Sequence, residues 1–306
     1  MSEKLKFEKP ALSIDEKIKL LKKRWLIIED EENAKHDLAH IWYYRLSGYF
    51  KYFQEKESDI FKTWSNFQNV IDIYKFDRKL RLLTIDAIEK IEISLKANIN
   101  DYLSKKNWVF WFLDVNHYYL GYKKNLEIFW KLILKIGSKK QESESEIISS
   151  FFEKYDEDFL PSWMLFEEFT FWELSNIYKI LQKKDKEVIA SNYNLDFKNL
   201  QTYIVFLNKL RNVAAHHSRL WNKNLNVRLK ITDEIFGDRF KKQPWKDWRI
   251  EVVSNFYNSA LIINYLLKNI NKNFWWLDDL DKLFHDFPWM KEKMWFNEEW
   301  KKEFEA

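Results

Sequence analysis

The longest uninterrupted helical pattern of the chain runs from residue 66 to residue 103, NFQNVIDIYKFDRKLRLLTIDAIEKIEISLKANINDYL, and contains no Gly and no Pro. Its apolar positions step by three or four residues, as the buried face of an α-helix does. These positions are Val70, Ile73, Phe76, Leu80, Leu83, Ala87, Ile91 and Leu95. The spacing predicts one long helix over the whole stretch.

Composition extends this prediction to the rest of the chain. The 306 residues are 46% hydrophobic and 18% aromatic, which is enough to fill a large core. Only 4 Gly and 4 Pro are present, so helices joined by short polar loops fit better than a sheet that needs many tight turns. We therefore predict an all-α, multi-helix fold. Further helices are predicted over residues 13–27, where Ser13 and Glu16 form a capping box, and over 33–54, 163–183, 198–222, 248–269 and 274–304.

Three parts are predicted along the chain. Residues 1–65 form an N-terminal helical segment, residues 66–230 form the main helical domain with a polar loop near 137–146, and residues 231–306 form a Trp-rich C-terminal extension. The chain has no Cys, which excludes disulfides, thiolate zinc sites and cysteine nucleophiles. The charged N-terminus lacks the apolar stretch of a signal peptide, and the apolar runs are too short to cross a bilayer. A cytoplasmic protein without membrane association is expected.

Basic residues are concentrated in one part of the sequence. No Asp or Glu occurs between Asp196 and Asp233, whereas seven basic residues do, in a protein whose formal net charge is only +4. These are Lys198, Lys209, Arg211, Arg219, Lys223, Arg228 and Lys230. A polyanion is the partner that such a local excess favours.

Helical stepping divides the residues of this basic segment into two faces. Asn208, Asn212, His216, Arg219 and Lys223 step by three or four, which predicts one polar, basic face. On this face Asn208, Arg219 and Lys223 are candidates for RNA binding. A second, apolar stripe comprises Phe206, Leu210, Val213, His217 and Leu220. We therefore predict that His216 meets the substrate, whereas His217 points into the core and supports the site.

The residue types on this segment suit metal-free cleavage of RNA. An arginine can bind a phosphate through two hydrogen bonds, and a histidine, which titrates near neutral pH, can act as general acid or base. Arg211 and His216 are the candidate catalytic residues, with Asn212 placed to orient either one. They are five residues apart, about 140° around a helix, so a symmetric pair of helices in a homodimer would bring them together. The spacing of Arg211 and His216 alone fits an amphipathic helix with a solvated basic face as well as it fits an RNA-cleaving site.

No cofactor and no metal site are predicted, because the motif has no carboxylate cluster near it in sequence. Three tyrosines of the N-terminal segment, Tyr43, Tyr44 and Tyr49, could stack nucleobases. Aromatic residues at helical spacing are more often part of a core, so the core interpretation of these tyrosines is favoured.

Several separated blocks of the chain resemble the AbiD/AbiF-like (Abi_2) group of bacterial abortive-infection proteins, whose C-terminal part is a HEPN domain. The blocks are KPALS at 9–13, IWYYRLSGY at 41–49, FDRKLR at 76–81, IEKIE at 88–92, PSW at 161–163 with Glu167 and Phe171, and LRNVAAHHSRLWN at 210–222. Together they cover about residues 9–225 and leave the C-terminal extension unmatched. Two positions depart from the family pattern: Trp172 stands where a small Gly is common, and Ala214 where Cys is frequent.

The resemblance implies a HEPN-type helical bundle and a metal-independent ribonuclease of anti-phage defence, usually dimeric. Arg211 and His216 match the family's catalytic Arg and His, and Asn212 matches the Asn that follows the Arg. It also implies a small noncoding RNA as a regulating partner. Two alternatives stay open, a non-catalytic scaffold that holds a noncoding RNA and a toxin silenced by a separate antitoxin protein.

Overall fold

The computed structural model describes residues 10–142, 145–225, 227, 235–244, 250–271 and 274–305. Almost all regular structure in these ranges is helical, which confirms the all-α prediction. The helices are α1 (Ile14–Lys23), α2 (Glu31–His40), α3 (Tyr43–Phe53), α4 (Phe67–Lys106), α5 (Lys123–Glu142), α6 (Glu146–Lys154), α7 (Ser162–Glu167), α8 (Phe171–Ile180), α9 (Lys183–Ser191), α10 (Phe197–Ala215), α11 (Phe256–Ile270), α12 (Trp276–Asp286), α13 (Trp289–Glu292) and α14 (Trp300–Glu305). Strands β1 (Lys242–Pro244) and β2 (Ile250–Val252) pair antiparallel, with Gln243 opposite Glu251.

Helix α4 confirms the long helix predicted over residues 66–103. The chain forms two compact units, Met1–Leu80 and Arg81–Ala306, and the boundary between them falls within this helix. In the second unit the predicted positions Ala87, Ile91 and Leu95 of α4 are fully buried, and Leu83 is half-buried. The predicted stripe is therefore a core face.

The first unit begins with the predicted capping box. The Ser13 hydroxyl accepts a hydrogen bond from the Glu16 N–H at 3.2 Å, and Glu16 Oε2 accepts one from the Ser13 N–H at 2.7 Å. Helix α1 ends at Lys23 rather than at residue 27, because Trp25 adopts the left-handed conformation with φ 72°. The helix predicted over residues 33–54 is two helices, since Ile41 is extended between α2 and α3.

In the second unit α10 packs against α8, α9 and α11. The helix predicted over residues 198–222, which carries Arg211, therefore lies in the centre of a helical bundle. The predicted helix over 163–183 is divided into α7 and α8. A second capping box causes this division: the Glu173 N–H donates to Thr170 Oγ1 at 3.4 Å, and the Thr170 N–H donates to Glu173 Oε2 at 2.6 Å.

Three other predicted boundaries are wrong. Helix α5 continues through Glu142, so most of the polar stretch 137–146 is helical and not a loop. Helix α11 begins at Phe256, not at residue 248, because Asn255 caps it by accepting the Asn258 N–H at 3.0 Å. The Trp-rich stretch 274–304 contains three short helices, α12, α13 and α14. Within the described ranges, no helix combines the length and apolarity needed to cross a membrane.

Candidate functional site at the end of helix α10

The end of helix α10 is set by a left-handed residue. His216 is the C-cap, and His217 has φ 55°. The His217 N–H donates to the Ala214 carbonyl at 3.1 Å, and the Ser218 N–H donates to the Val213 carbonyl at 3.0 Å. This pair of hydrogen bonds is the Schellman motif. The prediction that the helix continues to residue 222 is therefore wrong, because a left-handed residue cannot continue a right-handed helix.

The early end of α10 changes the predicted polar face. Asn208 and Asn212 lie on the helix, and His216 follows Asn212 by one turn, since its N–H donates to the Asn212 carbonyl at 3.0 Å. Arg219 and Lys223 lie beyond the helix, so the prediction that they share this face is wrong. The structure thus keeps three of the five residues in helical register and places the other two on the segment that follows.

The apolar stripe holds with one exception. Phe206, Leu210, Val213 and Leu220 are all buried, as predicted. His217 is exposed, so its assignment as a core histidine is wrong. The reason is again the left-handed backbone at residue 217, which removes the side chain from the helical stepping that placed it in the stripe.

The two candidate catalytic side chains are both reachable from solvent. His216 is exposed and Arg211 is half-buried. Among the residues that the structure describes, neither side chain makes a hydrogen bond or an ion pair, and no hydrogen bond joins the two or connects either one to the Asn212 side chain. Both groups therefore retain their full hydrogen-bonding capacity for a ligand.

The basic segment is partly exposed. Lys198 and Lys209 are exposed, and Arg211, Arg219 and Lys223 are half-buried. Arg228 and Lys230, also predicted to contribute, lie outside the described residues. Asp196, the acidic residue that precedes this segment, is used as the N-cap of α10, where it accepts the Lys198 and Asn199 N–H groups at 2.7 and 3.2 Å. Residues 197–232 themselves contain no Asp or Glu.

The family model described as Abi-like protein matches residues 36–222, which is more than half of the 306 residues and includes the segment from Arg211 to Asn222. The chain belongs to the Abi-like family. Membership associates this protein with abortive infection. No curated protein and no solved structure matches the chain.

In this Abi-like protein the C-terminal extension contacts the segment that follows His216. These contacts were not predicted from the sequence. The buried Trp221 donates from its indole Nε1 to the Met290 carbonyl at 3.4 Å. The Leu225 N–H donates a hydrogen bond to the backbone carbonyl of Ser254 at 2.8 Å. The Ser254 hydroxyl donates a hydrogen bond to Asn224 Oδ1 at 2.5 Å. Contacts between residues more than 25 positions apart in sequence therefore fix the course of residues 210–225, which we call the motif segment.

Two buried carboxylates near the bundle were also missed. Glu173 is fully buried and pairs with Lys135. Burial alone would raise the pKa of Glu173, but hydrogen bonds from Lys135 and Thr170 lower this pKa below its usual value. Asp185 is buried, pairs with Lys106 and accepts a hydrogen bond from Tyr102 at 2.9 Å. Both carboxylates are engaged in holding helices together.

Trp172, the departure from the family pattern, does not disturb the bundle. Its side chain is 49% exposed on α8, next to the buried Phe171. A large residue at this position therefore needs no room in the core. Ala214, the other departure, is buried at the end of α10.

The tyrosines of the first unit have different environments. Tyr49 is buried and its hydroxyl donates to Asp77 Oδ2 at 2.6 Å, so it belongs to the core, as favoured. Tyr44 is 75% exposed and lines a cavity of about 770 Å³ with Trp42 and Arg24. In the described part of the chain, no group of three or more His, Asp or Glu residues is arranged to hold a metal ion.

Proposed function

We propose that this Abi-like protein is a metal-independent, HEPN-type endoribonuclease that acts in anti-phage abortive infection. The observation that carries the proposal is the state of Arg211 and His216. Both lie at the end of α10, and neither side chain makes a hydrogen bond or an ion pair among the described residues. They also lie in a segment of the sequence without carboxylates. A cation and an imidazole that are not used by the fold are available to a phosphodiester.

The reaction needs one proton acceptor, one proton donor and one anion binder. A histidine base removes the proton of the ribose 2′-hydroxyl, and the 2′-oxygen attacks the adjacent phosphorus. The bond from phosphorus to the 5′-oxygen then breaks, and that oxygen takes the proton from the same histidine, so that one His216 per site serves first as base and then as acid. The products are a 2′,3′-cyclic phosphate and a 5′-hydroxyl. Arg211 stabilises the added negative charge on the phosphorane.

A homodimer would complete this site. Within one chain Arg211 and His216 are separated by about 140° around the helix axis, and no hydrogen bond links them. A two-fold axis near the end of α10 would place His216 of one protomer beside Arg211 of its partner and would create two such sites. Asn212, between them in sequence, would orient one of the two side chains, and the exposed His217 would support the site from the next position.

RNA would be held by the residues around the catalytic pair. Asn208 offers an amide on the same helical face, and Arg219 and Lys223 offer cations on the segment that follows. Such contacts position the backbone of an RNA without reading its sequence. A small noncoding RNA bound by the same residues would compete with the substrate and thereby regulate cleavage.

The test is RNA cleavage by the purified protein in EDTA. The wild-type protein is expected to produce fragments with 2′,3′-cyclic phosphate ends, and Arg211→Ala and His216→Ala are each expected to abolish them. Lys209→Ala, which removes an exposed cation from the same helix, is the matched control and should retain most of the activity. Cleavage that persists in both catalytic variants would contradict the proposal.

The second candidate is a non-catalytic scaffold that holds a noncoding RNA. It is favoured by one observation, that no hydrogen bond joins Arg211 and His216 within a chain. RNA that copurifies with the protein, together with no cleavage by the wild type, would establish the scaffold. Copurification of a second protein encoded beside it would instead indicate a toxin silenced by an antitoxin.

A further inference from the structure

A cavity of about 240 Å³ lies in the second unit beside the motif segment. It is formed by residues 222–224, Gln243 of β1, Val253, the start of α11 and the loop after α13. The lining residues that bear on the chemistry of a ligand are Asn222, Lys223, Asn255, Phe256, Lys293 and Trp295. Among the described residues, its lining contains two lysines and no Asp or Glu. The electrostatics of the cavity therefore favour an anionic ligand.

Asn255 supplies the most specific indication of a ligand. Its side chain is 7% exposed, and its Oδ1 is engaged as the helix cap by the Asn258 N–H at 3.0 Å. Its Nδ2 has no hydrogen-bond partner among the described residues. A buried donor without a partner is costly and uncommon in proteins. An acceptor atom of a ligand in the cavity would satisfy it.

The same position carries the positive end of a long helix. Asn255 and Phe256 line the cavity, and they are the N-cap and first residue of the 15-residue helix α11. The first N–H groups of a helix and its dipole attract phosphate. Lys223 and Lys293 add two cations to the same cavity. A phosphate group therefore finds a donor amide, a helix N-terminus and lysines at one place.

The cavity also has an aromatic wall. Trp295 is 50% exposed, so its ring can receive a flat partner, and nucleobases stack on such rings without regard to sequence. The two chemical parts of a nucleotide match this lining, with a phosphate at α11 and a base on Trp295.

We propose that this cavity is a subsite for one nucleotide of the RNA, next to the segment that carries His216. The inference rests on the proposed function for the identity of the polymer. It assigns a binding role to the C-terminal extension, which the family match at residues 36–222 does not cover.

Two variants test the subsite without removing the fold. Asn255→Asp keeps an oxygen for the helix cap and replaces the donor by a carboxylate, which repels phosphate. Trp295→Gly removes the ring, and it relieves the backbone because Trp295 has φ 74°. Trp172→Ala is the matched control, since Trp172 has nearly the same exposure, 49%, and does not line the cavity. Thermal unfolding of all three proteins verifies that they are folded.

The experiment measures the affinity of the full chain for a short, labelled single-stranded RNA by fluorescence anisotropy, with each variant built on His216→Ala so that the RNA is not cut. Asn255→Asp and Trp295→Gly are each expected to weaken binding about tenfold, and Trp172→Ala by less than about twofold. A nucleoside monophosphate and inorganic phosphate are expected to compete only weakly, because they make the contacts of one subsite.

The outcomes separate this inference from the proposed function. If the wild type cleaves RNA but both cavity variants bind RNA as Trp172→Ala does, the subsite is wrong and the nuclease stands. If the wild type does not cleave but the cavity variants still lose affinity, the nuclease is wrong and the subsite stands. Competition by the monophosphate at the affinity of the RNA would also overturn the subsite, because it would indicate a site for a free nucleotide.

Discussion

The indole Nε1 of Trp221 donates a hydrogen bond to the backbone carbonyl of Met290 at 3.4 Å, so the last turn of the motif segment is attached to the C-terminal extension. Trp221 is fully buried. Because this contact joins residues 69 positions apart, the C-terminal extension helps to fix the position of the segment after His216.

Replacing Trp221 by Phe should destabilise the protein by about 1 kcal/mol, because it leaves the Met290 carbonyl without this donor and leaves a small cavity. The free energy of unfolding in urea measures the change. Trp130→Phe, at a 55% exposed position on α5, should have almost no effect. Equal effects of the two substitutions would show that the hydrogen bond contributes nothing.

Glu173 should make the stability of the bundle depend on pH. Hydrogen bonds from Lys135 and Thr170 outweigh burial and lower the pKa of Glu173, so the folded state holds its proton less tightly than the unfolded state does. The stability that this carboxylate contributes is present above its unfolded pKa and is lost as the pH falls through the folded value. Glu173→Gln should therefore cost about 1–2 kcal/mol at neutral pH, a modest value because Lys135 is half-exposed, and progressively less in acid.

Unfolding free energies measured from neutral to acidic pH test this. Glu187→Gln is the control, since Glu187 pairs with Lys183 on the surface. A Glu173→Gln difference that stays constant with pH would contradict the assignment of the charge to the folded state.

Arg219 should bind a phosphate of the RNA. Removing one phosphate contact lowers the slope of log affinity against log salt by about 0.7 for a single strand. Arg219→Gln should show that change and weaken binding to all RNA sequences alike. Lys302→Gln, which removes an exposed lysine paired with Glu299, is the control and should leave the slope unchanged. An unchanged slope in Arg219→Gln would remove Arg219 from the RNA contacts.

Replacing His217 by Gly should stabilise the protein. The left-handed conformation costs a side-chain-bearing residue about 1–2 kcal/mol, and the extra freedom of Gly in the unfolded chain offsets about 0.5–1 kcal/mol of the gain. His217→Gly should therefore raise the melting temperature, and so should Trp25→Gly at the equivalent position after α1. If His217 supports catalysis, RNA cleavage by His217→Gly will fall while its stability rises. A lower melting temperature for His217→Gly alone would show that the imidazole stabilises the fold.

The sequence predicted the interior of the helices well and their ends poorly. Helix α4 was predictable because no Gly or Pro interrupts its stepping, and α1 because its capping box is local. The end of α10 was not predictable, because the position where Gly normally stops a helix is occupied by His217. The same holds after α1 with Trp25.

The candidate site was predictable only in part. The basic segment and the exposure of His216 follow from local spacing along the chain. The attachment of Trp221 to Met290 and the cavity at Asn255 depend on residues far apart in sequence, which helical periodicity does not register. The exposure of His217 was missed because a prediction based on helical stepping assumes that the helix continues.

The proposed cooperation of Arg211 and His216 across two protomers is tested most directly by co-expressing Arg211→Ala with His216→Ala and measuring RNA cleavage in EDTA. Each variant alone should be inactive. Half of the co-expressed dimers are mixed, and each mixed dimer has one of its two sites intact, so the mixture should recover about a quarter of the wild-type rate with 2′,3′-cyclic phosphate ends. A wild type that leaves RNA uncut in EDTA, or a mixture as inactive as its parents, would contradict the composite nuclease site.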